Sequence, residues 1–512
     1  MDKNFYITTP IYYPSARPHM GHAYSSIIAD FFARFKRIDG YNVHFLTGTD
    51  EHGLKIQRAA EKKGIETLLF CDEISKTFKD LSKTLNLSNT DFIRTTEQRH
   101  KESVKHLWKE LEKNDDIYLS KYSGWYSVSD EAFYEENEIE KINDKNFAIS
   151  SKSPVEWVDE ESYFFRLSKW EKPLLKFYED NPDFILPESR RNEVVNFVKG
   201  GLKDLSISRK SFSWGIKVPN NSEHVIYVWL DALTNYISAL NYPKDNDLYS
   251  KFWPASIHLI GKDILRFHAI YWPAFLLAAK IKLPKKVYGH GWILADNEKM
   301  SKSKGNILDP LEIIDKYGLD PLRYYLIKEV SFGNDGNISQ DRLESCINSD
   351  LANNFGNLCQ RVTAFNIKNC DSKIPDKINF EKEDLDILNR YKNNLENIRK
   401  KIDKQDINYY INFIVDSLFE ANKYFNDQEP WNKKNDNLRL NTIVFTTLEI
   451  VRKISFLLYP IIPESSLKAL KIFDIKENDI IFSSIGNNEF LIKGSNINKI
   501  EILFKKIDKK ND

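Results

Sequence analysis

The 512-residue chain is poor in cysteine, has no excess of charge of either sign and contains no long apolar run. Its four cysteines, Cys71, Cys346, Cys359 and Cys370, form no CxxC pair. That spacing argues against a disulfide framework and against a zinc knuckle; four small buried thiols in a reducing compartment are expected. Lysine plus arginine number 74, and aspartate plus glutamate also 74, so the formal net charge is zero. A nucleic-acid partner usually goes with a basic excess, because phosphate neutralisation dominates affinity. Global neutrality withholds that signature, although a basic stripe on one face can be offset elsewhere. No uninterrupted apolar segment reaches the ~18 residues that a membrane-crossing helix needs. The longest, around Tyr271 to Ala279, is bounded by His268 and Lys280 and reads as a core helix. The N-terminal MDKNFYITTPIYYPS has neither the layout of a signal peptide nor that of a transit peptide, so a cytoplasmic protein is expected.

What is present is an ordinary globular composition, 41% hydrophobic, 13% aromatic and 29% charged, in a chain long enough for two to four domains. Phe5 to Tyr13 reads as a strand, Ala23 to Phe35 as a helix and Val43 to Thr47 as a second strand. Helical patterns follow at Leu54 to Lys62 and at Glu66 to Leu85. This alternation predicts a doubly wound parallel sheet of α/β class, with ligands beyond the carboxyl ends of its strands. Residues 118–224 change character and read as a small insertion. The first pattern returns with strands at Val225 to Trp229 and Ser256 to Ile260, a long helix from Asp263 to Lys280, and Val287 to Leu294. Asp309-Pro310 and Asp320-Pro321 read as helix starts. Beyond about residue 346, helical periodicity dominates and glycine is scarce, as in a helix bundle. The expected division is therefore 1–117 and 225–345 for the two halves of one α/β domain, 118–224 for the insertion and 346–512 for an α-helical domain.

Two short motifs carry chemistry. Pro18-His19-Met20-Gly21-His22 falls at the first strand-to-helix turn. Two imidazoles three residues apart share a helix face and can donate to phosphate oxygens at the positive helix end. Gly21 has no side chain, which lets an adenine base lie against the backbone. The competing reading is a pair of surface or metal-binding histidines. Lys299-Met300-Ser301-Lys302-Ser303, followed by Lys304-Gly305-Asn306, sets ammonium groups among small polar residues and suits a triphosphate. Its alternative is a solvated basic loop.

Together these motifs resemble the two signature sequences of class I aminoacyl-tRNA synthetases. Val228-Trp229-Leu230-Asp231-Ala232, Gly261-Lys262-Asp263-Ile264, Phe267-His268 and Trp272-Pro273 look like the methionyl branch of that family, and Glu429-Pro430-Trp431 is similar to its anticodon-binding segment. The resemblance spans most of the chain and is weakest between about 140 and 190 and after about 465.

The resemblance implies a Rossmann-like catalytic domain and an α-helical anticodon-binding domain. It implies ATP-dependent activation of L-methionine with release of pyrophosphate, then transfer to the terminal adenosine of tRNA(Met), initiator tRNA included. Mg²⁺ would accompany ATP. His19, His22, Lys299 and Lys302 would stabilise the reacting and departing phosphates, and Gly21, Arg209, Gly261 and Asp263 would bind ATP. Asp50 would pair with the substrate ammonium. Ile11, Tyr13, Trp229, Ala232, Leu233, Tyr236, His268 and Trp272 would form the thioether pocket, since aromatics suit a polarizable sulfur. Asn357, Arg361 and Trp431 would meet the anticodon. Each has a plainer alternative: a surface ion pair for Arg209, a helix cap for Asp263, a turn for Asp50, a bundle-core aromatic for Trp431.

Departures from the family pattern refine the picture. Leu233 replaces a proline often seen in relatives. Trp125-Tyr126-Ser127-Val128-Ser129-Asp130-Glu131, where many relatives carry zinc knuckles, has no cysteine, so no structural metal is expected. No appended C-terminal domain is expected beyond Asp512, and a monomer is therefore expected. The 276 residues between His22 and Lys299 also hold half the catalytic fold and leave no room for the large editing domain of leucyl, isoleucyl and valyl enzymes. Homocysteine would then be rejected in the synthetic site itself. A catalytically dead paralogue would be expected to lack a signature histidine or lysine. A small-molecule adenylyltransferase would not need the long helical region.

Overall fold

The computed structural model of the chain describes residues 3–14, 18–130, 132–244, 247–295, 298–299 and 309–508. The chain divides into two compact units, one of Asn4–Pro18 and Val43–His290, the other of Met1–Lys3, His19–Asn42 and Gly291–Asp512.

The first unit is built on a six-stranded sheet. Its strands are β1 (Asn4–Thr8), β2 (Asn42–Thr49), β3 (Asp91–Arg94), β4 (Ile185–Leu186), β5 (Ile257–Gly261) and β6 (Val287–His290), in the order β3-β2-β1-β5-β6-β4. β2 and β3, β1 and β5, β5 and β6, and β6 and β4 all pair in parallel. β2 and β5 are buried over nearly their whole length, as expected for strands covered on both faces. The order runs outward from β1 on one side and resumes at β5 on the other. The β1–β5 boundary is thus the switch point at which such sheets bind ligands.

The expected long first strand stops at Thr8, because Pro10 has no N–H for a ladder. Tyr12 returns as an isolated parallel bridge to Thr49. Val225 to Trp229 is not a strand of the main sheet. Asn221–Ile226 pairs antiparallel with Ser208–Arg209 and Lys217–Val218, and Val228–Leu233 is helical. A short apolar run does not distinguish a buried strand from a buried helix. Within 118–224, Ile117–Ser127 and Glu156–Phe165 form an antiparallel ribbon, while Ile185–Leu186 adds β4 to the main sheet.

The expected helix from Asp263 to Lys280 is three consecutive pieces: a 3₁₀ turn at Lys262–Ile264, a π-helix at Phe267–Tyr271 and an α-helix at Trp272–Ala278. Pro273 supplies one physical reason, since it has no N–H to give to the preceding turn. The Ala269 carbonyl, four residues back, accepts instead from the Tyr178 hydroxyl at 2.6 Å.

The second unit contains the Met20–Ile38 helix and most of the helical C-terminal half. Asn357–Asn369, Lys382–Asp403, Ile407–Asp427 and Asn437–Leu458 pack as a bundle. Pro310–Tyr317 starts where expected, with Asp309 accepting from the Leu311 N–H at 2.8 Å. The next helix starts at Leu319 with Gly318 as its cap. Asp320 is therefore not a cap, and it accepts from the Ser465 N–H instead. Cys71, Cys346 and Cys359 are buried, whereas Cys370 is half-buried, which corrects the expectation of four buried thiols. No helix among the described residues is long and apolar enough to cross a membrane.

Candidate active site

The Met20–Ile38 helix opens on His19, which has extended backbone geometry and acts as its cap. His19 Nδ1 accepts from the Gly21 N–H at 3.1 Å, and His22 Nδ1 accepts from the His19 N–H at 3.1 Å. The imidazoles thus do the work that Ser and Glu do in an ordinary capping box. Their centroids lie 3.8 Å apart. Because both Nδ1 atoms accept, each neutral ring carries its proton on Nε2 and offers that N–H as a donor. Burial, then the neighbouring His19, hold His22 well below the usual imidazole range, so it is neutral at pH 7. A β-carbon on Gly21 would stand 2.9 Å from the His19 ring, so here the glycine makes room for the cap itself.

The helix is anchored along its length. Asp30, wholly buried, receives Arg34 Nε at 2.7 Å and Arg323 Nη2 at 2.6 Å. Further along, Lys36 meets Asp403 at 2.5 Å and Arg399 meets Asp39 at 2.7 Å. The second signature starts on a hairpin: Glu298–Lys299 pairs antiparallel with Ile293–Ala295, which pairs in parallel with Gly336–Ile338. Lys302 lies outside the described residues.

In the other unit, the aromatic residues expected to line the thioether pocket come together. The Tyr236 hydroxyl is 2.6 Å from His268 Nε2, and His268 Nδ1 is 3.0 Å from the Ile264 carbonyl. Trp229 lies edge-on to His268 at 6.2 Å and stacks on Phe267 at 3.7 Å, while Tyr236 lies 6.1 Å from Trp272. Ile11 and Tyr13 pack against the same core, and Ala232 and Leu233 are buried. Burial pushes His268 down to about 4, against the Ile264 carbonyl, which raises it. The indole N–H groups of Trp229 and Trp272 are buried without a hydrogen-bond partner among the described residues.

Asp50 is 4% exposed, and its charge bears on the Tyr236 phenol. Its neighbour Glu51 is locked by Arg94, which donates to it from Nε at 2.7 Å and Nη2 at 3.0 Å, with Thr49 adding a third bond at 2.8 Å. Gly261 ends β5, and a β-carbon there would stand 2.6 Å from Asp263 Oδ1. Asp263 sits inside the following 3₁₀ turn rather than capping it. Arg209 is not a surface ion pair. It is 2% exposed, lies over Tyr126 and Tyr227 at 5.1 and 4.8 Å, and donates from Nη1 to Ser206 Oγ and the Ser208 carbonyl.

Sequence reading missed several buried polar residues. Asp231 receives His52 Nδ1 and His100 Nε2, each at 2.7 Å. His258 stacks on Tyr236 at 4.0 Å with Nδ1 2.9 Å from Thr8 Oγ1. The available signal was a lone aspartate in the apolar run Val228 to Leu233. Nothing local marks His100, which stands among polar helix residues.

In the helical region, Arg361 and Trp431 line a common cavity of about 370 Å³ with Ala364, Phe365, Lys368 and Phe425. Arg361 Nη2 donates to Asn426 at 2.7 Å and its guanidinium lies over Phe425, against which Trp431 packs edge-on at 6.0 Å. Trp431 is 38% exposed and so is not a core aromatic. Asn357 begins the helix that carries Arg361 and does not line the cavity.

The doubly wound sheet, the histidine-capped helix and the helical bundle define a class I aminoacyl-tRNA synthetase. Residues 5–143 and 138–363 match the family of class I tRNA synthetases described by the letter M, and 374–512 match the anticodon binding domain of methionyl tRNA ligase. Methionine–tRNA ligase of Rickettsia conorii is 49% identical, the alignment covering 99% of this chain and 100% of that protein. The Rhizobium meliloti ligase is 49% identical over 96% of each. The fold is similar to that of Mycobacterium tuberculosis methionyl-tRNA synthetase in complex with methionyl-adenylate, with a TM-score of 0.96, 45% identity and coverage of 98% and 99%. The chain belongs to the methionine–tRNA ligase family.

Proposed function

We propose that the chain activates L-methionine with ATP and transfers it to tRNA(Met), initiator tRNA included. The observation that carries this reading is the joined wall of Trp229, Tyr236, His268 and Trp272 beside the buried Asp50 carboxylate. Such a pocket takes a flexible thioether at one end and an ammonium at the other.

In activation, a methionine carboxylate oxygen forms a bond to the α-phosphorus of ATP, and the bond from that phosphorus to the α,β-bridging oxygen breaks. Pyrophosphate departs. The chain's contribution is position and charge, with no proton transfer required. His19 and His22 donate from Nε2 to phosphate oxygens, and Lys299 and Lys302 take the charge that develops on pyrophosphate. Gly21, Gly261 and Asp263 form the nucleoside contacts. Arg209 is assigned to the ATP phosphates, with its Nη1 held by Ser206 and Ser208. Asp50 holds the ammonium, and Ile11, Tyr13, Ala232 and Leu233 complete the side-chain pocket. Among the described residues no three His, Cys, Asp or Glu side chains gather to hold a metal. Mg²⁺ would accompany ATP as the counter-ion of its phosphates.

In transfer, the 2′-hydroxyl of the tRNA's terminal adenosine attacks the methionyl carbonyl and AMP leaves. Arg361 and Trp431 receive an unstacked anticodon base, and Asn357 adds polar contacts from the same helix. Residues 1–117 and 225–345 serve catalysis, 118–224 form the insertion and 346–512 bind the anticodon, in a monomer acting in the cytoplasm. The test is acylation itself: with ATP and methionine the chain charges tRNA(Met), and failure to charge competent tRNA overturns the reading.

A further inference from the structure

Asp231 stands between Trp229 and Ala232 on the Val228–Leu233 helix and is wholly buried. Its Oδ2 accepts from His52 and its Oδ1 from His100, both at 2.7 Å. His100 Nδ1 continues to Ser238 Oγ at 2.8 Å, two residues beyond Tyr236. On the other arm, His52 follows Asp50 by two residues, and its carbonyl accepts from the Tyr13 hydroxyl at 3.3 Å. One carboxylate therefore ties together four segments: the loop that carries Asp50, the helix that carries Trp229 and Ala232, the Gln98–Lys113 helix and, through His100, the short helix that carries Tyr236.

Burial raises the Asp231 carboxyl, but the two imidazoles outweigh it and hold the group at about 2, so it is ionised at neutral pH. An ionised carboxylate at this depth is stable only while both partners stay in place. The nitrogens facing Asp231 are engaged by its oxygens, and the cluster has no metal-holding geometry.

We propose that His52, Asp231 and His100 are positioning residues for the amino-acid pocket, which fix the separation between the Asp50 carboxylate and the wall of Trp229, Ala232 and Tyr236. The inference rests on assigning that pocket to methionine, with Asp50 on the ammonium. Asp231→Asn keeps the volume but cannot accept both imidazole protons in the same geometry. His100→Asn removes one arm only.

The experiment is ATP–pyrophosphate exchange on the full chain with Asp231→Asn, His100→Asn and Asp50→Ala, and with Asp231→Asn combined with Asp50→Ala. Misplacement of a pocket wall is expected to raise the methionine KM roughly 10- to 100-fold in the first two variants. The ATP KM should move by less than about threefold, since that contact is not displaced. In the Asp50→Ala background, Asp231→Asn should add little, because the contact it positions is already gone. If Asp231→Asn does not fold, His100→Asn decides. Equal rises in both KM values, or fully additive effects, overturn the positioning role and leave a purely structural triad. An Asp50→Ala variant with unchanged methionine KM overturns the ammonium assignment instead, whatever Asp231→Asn and His100→Asn do on their own.

Discussion

The Tyr236 hydroxyl donates to Nε2 of His268 across 2.6 Å, and this bond fixes the protonation of the ring. The other nitrogen faces the Ile264 carbonyl, which only accepts, so the proton resides on Nδ1. The imidazole is neutral and serves as an acceptor, which suits a wall for an uncharged thioether.

That state makes stability depend on pH. The folded His268 titrates at about 4, whereas an unfolded imidazole titrates near ~6.5. As pH falls through this window the unfolded chain takes up a proton that the folded chain refuses, so stability falls. The loss is on the order of 3 kcal/mol. Burial, then the neighbouring His268, hold His258 well below the usual range, which adds a loss of the same sign. Urea midpoints measured between pH 7 and pH 4.5 should fall steeply in the parent and less steeply in His268→Asn. Identical slopes would contradict the neutral buried ring.

Asp30 and Arg323 are both wholly buried and 2.6 Å apart, with Arg323 Nε also donating to the Ile461 carbonyl at 2.7 Å. Removing Arg323 leaves the buried Asp30 carboxylate still paired with Arg34. Arg323→Met should therefore lower stability by about 1.5–3 kcal/mol in denaturant melts, the loss of a hydrogen bond to a charged group. Because Asp30 lies on the helix that carries His19 and His22, pyrophosphate exchange should fall as well. A variant as stable as the parent would contradict the pairing.

Trp431 is half-exposed beside Arg361, with space over its ring. Loss of base stacking costs about 1–3 kcal/mol, so Trp431→Ala should raise the tRNA KM in acylation roughly 5- to 100-fold. Pyrophosphate exchange without tRNA should be unchanged. A loss of exchange would place Trp431 in folding rather than in tRNA binding.

Lys302 is assigned to the departing pyrophosphate, an interaction made in the transition state. Lys302→Ala should depress the exchange rate by roughly 10²-fold or more while changing methionine binding, followed by intrinsic fluorescence, by less than about threefold. Equal effects on both would contradict the phosphate role.

Much of the architecture was legible in the sequence because periodicity and punctuation agreed. Asp309-Pro310 marks a helix start through cap and ring chemistry, and the strand that became β5 is a buried apolar run next to a glycine turn. Where long-range pairing decides, local pattern fails. Val225 to Trp229 divides between strand and helix according to what it packs against, and the two-residue β4 is too short to show a period. The signature histidines were legible as phosphate donors, but the capping geometry that leaves the proton of each neutral ring on Nε2 was not. Asp231 and His100, 131 residues apart, meet only in the folded chain. A charged residue in an apolar run signals that a partner exists without saying which.

The central claim is that the pocket around Tyr236 and His268 selects methionine for adenylation. ATP–pyrophosphate exchange measured in parallel with methionine, leucine, isoleucine, valine and cysteine tests it most directly. The structure-based reading predicts the highest kcat/KM with methionine, by a factor above the roughly 10–200-fold that one methylene provides for the poorer fits. Exchange that is strongest with any of the other four would contradict it.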